Sequence, residues 1–203
     1  MAFNIPIEET EKAHGIKSGG DWFKIEEGAN KVRILTTFAV LPQHFSKGGY
    51  SGVCIGEDKG CPGCKEESTL SIKWLCWILD YKDNKVKLAK LPHTVAKAIK
   101  ALQDDPDYSF EDAPIPYDTK INAKNAGTKE VEYSVVPSPK REEVSAEILE
   151  QVKSESAPEE IVQKMKDKVI KNLQFDDMAN TQPTPPASAY PEEEAIKAKD
   201  IPF

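Results

Sequence analysis

Along residues 21–41 apolar and polar side chains alternate. Trp22, Lys24 and Glu26 interleave with Phe23, Ile25 and Glu27, and further on Val32, Ile34 and Thr36 interleave with Arg33 and Leu35. A period of two predicts strands, here two of them around a Gly28-Ala29-Asn30 turn. Residues 71–92 hold two further apolar, β-rich runs on either side of Asp83-Asn84, the signature of a hairpin. The period then lengthens: Val95, Ala96, Ile99 and Leu102 fall on one face of a helix. A cluster of aspartates with Pro106 ends it. Two more strands are predicted over 117–124 and 130–137, joined through Asn125-Ala126-Gly127. Strand, strand, loop, strand, strand, helix, strand, strand is a mainly β order with one inserted helix. An OB-fold-like Greek-key barrel accommodates it, and a generic β-barrel fits nearly as well.

Beyond the sheet pattern the chain turns helical. Val144, Ile148 and Leu149 mark one piece, and Ile161, Met165, Val169 and Leu173 recur every four residues in the next, which Pro158 can open. From there the composition shifts to Pro, Ala, Ser, Thr and Glu, too poor in apolar residues to order itself. Four parts result: a flexible arm over 1–20, an OB-fold-like core over 21–140 with a Gly-rich loop at 44–64, a helical extension over 141–174, and a disordered acidic tail over 175–203.

Composition narrows the class. No apolar run approaches the roughly 18 residues of a membrane-crossing helix, and no basic-then-apolar leader opens the sequence, so a soluble cytoplasmic protein without a membrane partner is expected. The net charge is −7 over 203 residues, unevenly spread. Residues 31–100 hold 12 Lys and Arg against 6 Asp and Glu, while residues 141–203 hold 8 against 14. A basic middle and an acidic end suit a core that binds a polyanion. A solvated lysine surface has the same composition.

The candidate chemistry lies in the Gly-rich stretch at 44–64, which carries His44, Cys54, Cys61 and Cys64. Three thiolates and an imidazole suit tetrahedral zinc. In CPGC, Pro62 and Gly63 shape a turn that aims both sulfurs at one point, as in a zinc knuckle. The stretch has too few apolar residues to fold by burial, so a metal is its natural organiser. Two other readings stand beside this one: a redox dithiol at Cys61 and Cys64, and unrelated free thiols. Cys76, between two tryptophans, reads as a small buried hydrophobe. His14 and His93 lie outside the cluster. An enzyme is not expected, because no histidine and carboxylate cluster suits a metal nuclease and four protein ligands leave zinc no open position.

Binding unpaired strands takes cations for the phosphates and rings for the bases. Lys31, Arg33, Lys73, Lys82, Lys85, Lys87 and Lys90 supply the first; Phe45, Tyr50, Trp74 and Tyr81 supply the second. Any single aromatic is more often core, and strand alternation puts Trp74 and Trp77 on opposite faces. The chain ends in Asp200, Ile201, Pro202 and Phe203, an apolar, aromatic terminus behind acidic residues that could dock in a basic-rimmed pocket of another protein.

The order His44, Cys54, then Cys61-x2-Cys64 resembles the phage single-stranded DNA-binding proteins of the T-even helix-destabilising type over roughly residues 20–140. The DIPF end looks like that of bacterial single-stranded DNA-binding proteins. The resemblance implies an OB-fold whose inserted loop holds Zn2+ through those four residues. It also implies a coat for unpaired DNA in phage replication, recombination and repair, acting in the host cytoplasm and recruiting enzymes of those processes through the tail. Residues 1–20 depart from that pattern, with no basic cluster of the kind used for cooperative binding. The alternative function is a zinc-stabilised protein-interaction module without nucleic-acid binding. Deleting residues 176–203 is expected to tighten binding of an oligonucleotide at low salt by removing a competing polyanion. Fluorescence anisotropy of full-length and shortened chains tests this, and equal affinities would refute the competition.

Overall fold

Thr69–Asp80, twelve residues without glycine or proline, form the longest strand, β5, and the sheet is built around it. The computed structural model describes residues 22–141 and 143–180, and of residues 175–180 the backbone only. The strands are β1 (Trp22–Phe23), β2 (Gly28–Ile34), β3 (Ala39–Phe45), β4 (Gly52–Val53), β5, β6 (Lys85–Pro92), β7 (Tyr117–Lys124) and β8 (Glu132–Arg141). The helices are α1 (Pro62–Lys65), α2 (His93–Gln103), α3 (Ala146–Ser154) and α4 (Pro158–Asn180).

One edge of β5 pairs along its whole usable length with β6, from Lys73↔Pro92 to Asp80↔Lys85. The hairpin turn passes through Asn84 at φ 55, a conformation asparagine tolerates. Its other edge is shared. Ile78–Asp80 pair with β2 and Thr69–Leu75 pair with β3, so β2 and β3 run along one strand with a corner at 35–38 between them. Completing the sheet, β7 pairs with β2 and β8 with β7. The result is a mixed, sheet-rich fold with helices at its C-terminal end, and the sheet is open. Its order is β1-β6-β5-β2-β7-β8, with β1 parallel on the free edge of β6 and no β6–β8 pairing among the described residues.

Both faces of β5 are covered. Cys76 and Ile78 point into the main core with Val32, Ile34, Leu91, Val95 and Ile121. Leu75, Trp77 and Leu79 point the other way. There α4 brings Val162, Ile161 and Met165, and α3 brings Ile148 and Val152. The indole Nε1 of Trp77 donates to the Ser156 carbonyl between those helices (2.9 Å), satisfying its one polar group.

Four expectations change. Gly28-Ala29-Asn30 opens β2 rather than turning a hairpin: Asn30 Nδ2 donates to the Ile121 carbonyl across the sheet, and β1 pairs with β6, not β2. His44 lies on a strand, because β5 begins at Thr69 and offers β3 a longer partner than local alternation reveals. Residues 175–180, assigned to the tail, continue α4 to Asn180, since extending a helix costs far less than starting one; residues 181–203 lie outside the described residues. The arm over 1–20 and the terminal Asp200, Ile201, Pro202 and Phe203 lie outside the described residues.

Arg33 is the fourth. It was expected to face nucleic acid, yet it is 2% exposed and ion-paired to Asp118, with Nη2 to Oδ1 at 2.6 Å. It shares the β5 face that α3 covers, so the same packing that buries Leu79 buries the guanidinium. Asp118 also accepts from Tyr81 Oη (2.7 Å) and pairs with Lys31 (2.7 Å). Burial would raise the Asp118 pKa, but the hydrogen bonds from Lys31, Tyr81 and Arg33 outweigh it and hold the carboxyl below its ordinary value. A depressed carboxylate adds stability that is present above its unfolded value of about 3.9 and lost as pH falls through the folded one. Asp118→Asn should therefore cost roughly 3 kcal/mol at pH 7, because it strands a buried cation. In urea melts the gap to wild type should narrow below about pH 4; a gap constant with pH would show that the carboxylate's charge is not what stabilises.

Candidate metal centre and nucleic-acid surface

The metal centre is assembled from one strand and the loops that fold back on it. His44 enters from β3, held between Leu70 of β5 and Gly52 of β4. Cys54 follows β4, its N–H bonded to the Pro42 carbonyl (2.9 Å). A 3-10 turn at Glu57–Lys59 is closed by Gly60 at φ 72, and Cys61 then donates its N–H to the Gly56 carbonyl (3.1 Å). Cys64 sits inside α1, whose first residue is Pro62.

The four ligand atoms of His44, Cys54, Cys61 and Cys64 all lie within 4.8 Å of one another. Cys54 Sγ is 3.6 Å from Cys64 Sγ, which is 3.4 Å from His44 Nε2. With zinc–sulfur bonds of ~2.3 Å and zinc–nitrogen bonds of ~2.0 Å, a tetrahedron has edges of about 3.5–3.8 Å. The two spacings fit those edges closely, so the group could hold a metal ion, and the donor set is one typical of zinc. The imidazole is already oriented: its Nδ1 lies 3.1 Å from the Ser68 carbonyl, which favours a proton there and leaves the Nε2 lone pair facing the sulfurs.

Electrostatics at the centre favour a thiolate at Cys61 and oppose one at Cys64. Burial would raise the Cys61 pKa, but N–H groups of Ile55, Cys64 and Gly63 outweigh it and bring the thiol down to about 7. Burial, the neighbouring sulfurs and the charge on Cys61 push Cys64 up to about 12. One charge thus sits readily among the sulfurs and a second does not, the condition a divalent cation relieves. A redox dithiol would leave His44 and Cys54 without a role in this cluster.

Gly63, expected as a turn residue of CPGC, is held to glycine by a second, tertiary constraint. A methyl group there would overlap the Cβ, Cγ and Cδ2 atoms of His44, so glycine is required by close approach of α1 to the ring. Cys76 is fully buried away from the centre, as a small hydrophobe would be.

The residues expected to face nucleic acid do not form one trough. Lys31, Tyr81, Lys82 and Lys87 line a cavity of about 870 Å³, but Glu26, Asp80 and Asp83 line it too. Lys82 pairs with Glu26 and Lys87 with Asp80 and Asp83. Lys85 and Lys90 are exposed on β6. Tyr50 belongs to the metal loop, its hydroxyl donating to the Val53 carbonyl (2.9 Å). Phe45 is 68% exposed at the end of β3, on the same sheet face as Lys73.

Trp74 lies on the opposite face, with Val40, Pro42, Leu70 and Ile72. Val40 and Leu70 are exposed. This face of the β3–β5 arm runs from His44 at the metal end to Trp74, where Phe38 and His93 join it. Neither Phe38 nor His93 stood out in the sequence, because the corner and the helix start that carry them meet only in the fold.

No family model, curated protein or solved structure matches the chain. Among the described residues no helix is long and apolar enough to cross a membrane.

One tightly held metal ion per chain is expected from elemental analysis of purified protein. Gly63→Ala should weaken metal affinity about 10- to 100-fold by displacing His44, the scale of loss seen when a ligand's support is removed. Competition with a chromophoric chelator measures it. Unaltered affinity in Gly63→Ala, or a metal-free protein of undiminished thermal stability, would contradict the assignment.

Proposed function

We propose that this chain is a non-enzymatic protein that coats single-stranded DNA, with zinc at the His44, Cys54, Cys61 and Cys64 centre. The observation that carries the reading is the open face of the β3–β5 arm, apolar and ring-bearing, bounded at one end by the metal centre and at the other by Trp74, Phe38 and His93. Bases stack on such surfaces without regard to sequence. Lys97 and Lys100 of α2 stand beside the Trp74 end, where phosphates could be met.

The strand pairings support an OB-type core. A bent first strand (β2 with β3) pairs with β5 and β7, β5 pairs with β6, a helix separates β6 from β7, and β7 pairs with β8; closure between β6 and β8 is the pairing that is lacking. Four protein donors leave a zinc ion no open position for catalysis, consistent with a structural role. The role in phage replication, recombination and repair, the host-cytoplasmic setting, and recruitment of enzymes through Asp200–Phe203 rest on the sequence resemblance alone.

The paired lysines fit the reading in a particular way. Lys82 and Glu26 are both well exposed, and such a surface pair contributes at most about 1 kcal/mol, so a phosphate could replace the carboxylate at small cost. Arg33 cannot make that exchange.

Anisotropy titration of labelled single-stranded and duplex oligonucleotides at several salt concentrations tests the proposal. Single strands should bind preferentially, with log affinity falling about 0.7 per log unit of salt for each phosphate neutralised. A duplex preference or a flat salt response would overturn it, and absence of binding would favour the protein-interaction module.

A further inference from the structure

We infer that the cavity between α2 and the 36–38 corner is a slot for one unpaired nucleobase, with His93 and Phe38 as binding residues alongside Trp74. This rests on the single-strand reading above. The cavity has a volume of about 370 Å³, within the range of small-molecule sites, and its lining is largely apolar. Ile34, Ile99 and Ile115 form its floor, and Phe110 closes one side.

The rings around it are held in place before any ligand arrives. Trp74 Nε1 donates to His93 Nδ1 (3.1 Å), which fixes the indole and leaves the imidazole proton on Nε2. The two rings lie side by side, joined edge to edge by that bond, with centroids 6.1 Å apart and planes 21° from parallel. Phe38 meets the indole edge-on at 6.4 Å and 88°. A pinned ring gives up little rotamer freedom on binding, so stacking on it is retained as affinity. A flat aromatic guest is the shape such a slot takes.

Charge on the rim is balanced, with the cations on α2. Lys97 and Lys100 line the α2 wall, while Glu111 and Asp112 line the facing loop, so a phosphate would leave the slot over α2. Lys100 also pairs with Asp104 at 2.7 Å, both groups being largely exposed and free to exchange partners. Polar groups at the rim are already engaged: Thr36 Oγ1 accepts from the Trp77 N–H, and Gln103 Nε2 donates to the Phe110 carbonyl. The base is therefore recognised by its faces more than its edges, and sequence preference should be weak.

The test uses the full chain and oligo-dT carrying 5-bromodeoxyuridine. Ultraviolet cross-linking followed by peptide mass spectrometry should place adducts on Trp74 or His93. His93→Ala, which changes an exposed side chain in the first turn of α2, should weaken oligo-dT binding about tenfold at an unchanged melting temperature; Phe38→Ala should weaken it as well but also lower the melting temperature, because Phe38 packs against the main core. Adducts confined to other residues would overturn the slot while leaving the coating activity standing, and adduct position decides if the two readouts differ. Failure of the wild-type chain to bind oligo-dT would remove the underlying reading as well. A peptide of residues 195–203 that quenches tryptophan emission, abolished by His93→Ala while oligo-dT binding is untouched, would assign the cavity to a protein terminus and overturn the inference.

Discussion

A single strand that must satisfy two cores sets the terms for this molecule. In β5, Cys76 and Ile78 need an apolar partner on one side while Leu75, Trp77 and Leu79 need one on the other. The sheet supplies the first by curling, which brings β2, β6 and α2 together. It cannot supply the second, and α3 and α4 do so from beyond residue 145. The segment after β8 is thus part of the body that positions everything else. Burying an indole the size of Trp77 is worth several times the energy of any surface ion pair here, and the Ser156 carbonyl removes the cost of its N–H.

That covering decides which charges can meet a ligand. Arg33 shares the helix-covered face and is satisfied there by Asp118, so it acts as a structural cation. Lys87, 14% exposed at its side chain, is likewise held by Asp80 and Asp83. Lys82 and Lys100 can exchange partners because Glu26 and Asp104 are solvated. What the C-terminal helices leave uncovered is the other face of the β3–β5 arm, the one that carries Val40, Leu70 and Trp74.

The arm explains the placing of the metal. A stretch rich in glycine between β3 and β5 has little to bury, and its backbone is held by short turns, the Gly56 carbonyl accepting from both Lys59 and Cys61. His44, fixed in the ladder, ties that stretch to the sheet through one coordinating atom. A metal ion held there would stiffen the far end of the arm and give the face that ends on it a rigid wall.

Much of the local structure was legible in the residues. The helix from Pro92 onward, the hairpin through Asn84 and the paired strands after Asp118 follow from period and turn chemistry, because those signals act between neighbours in the chain. The cluster of His44, Cys54, Cys61 and Cys64 was legible too, since soft donors at short spacing in a Gly-rich loop have few other uses. What only the tertiary structure decided is orientation. A period of two says that Trp74 and Trp77 point apart, but not that helices some seventy residues later would claim Trp77 and leave Trp74 beside a cavity. Nor could it say that Arg33 would turn inward to Asp118, or that His93 would accept the indole N–H of Trp74. Those outcomes depend on contacts between distant segments, whose energies are settled only when the chain has packed.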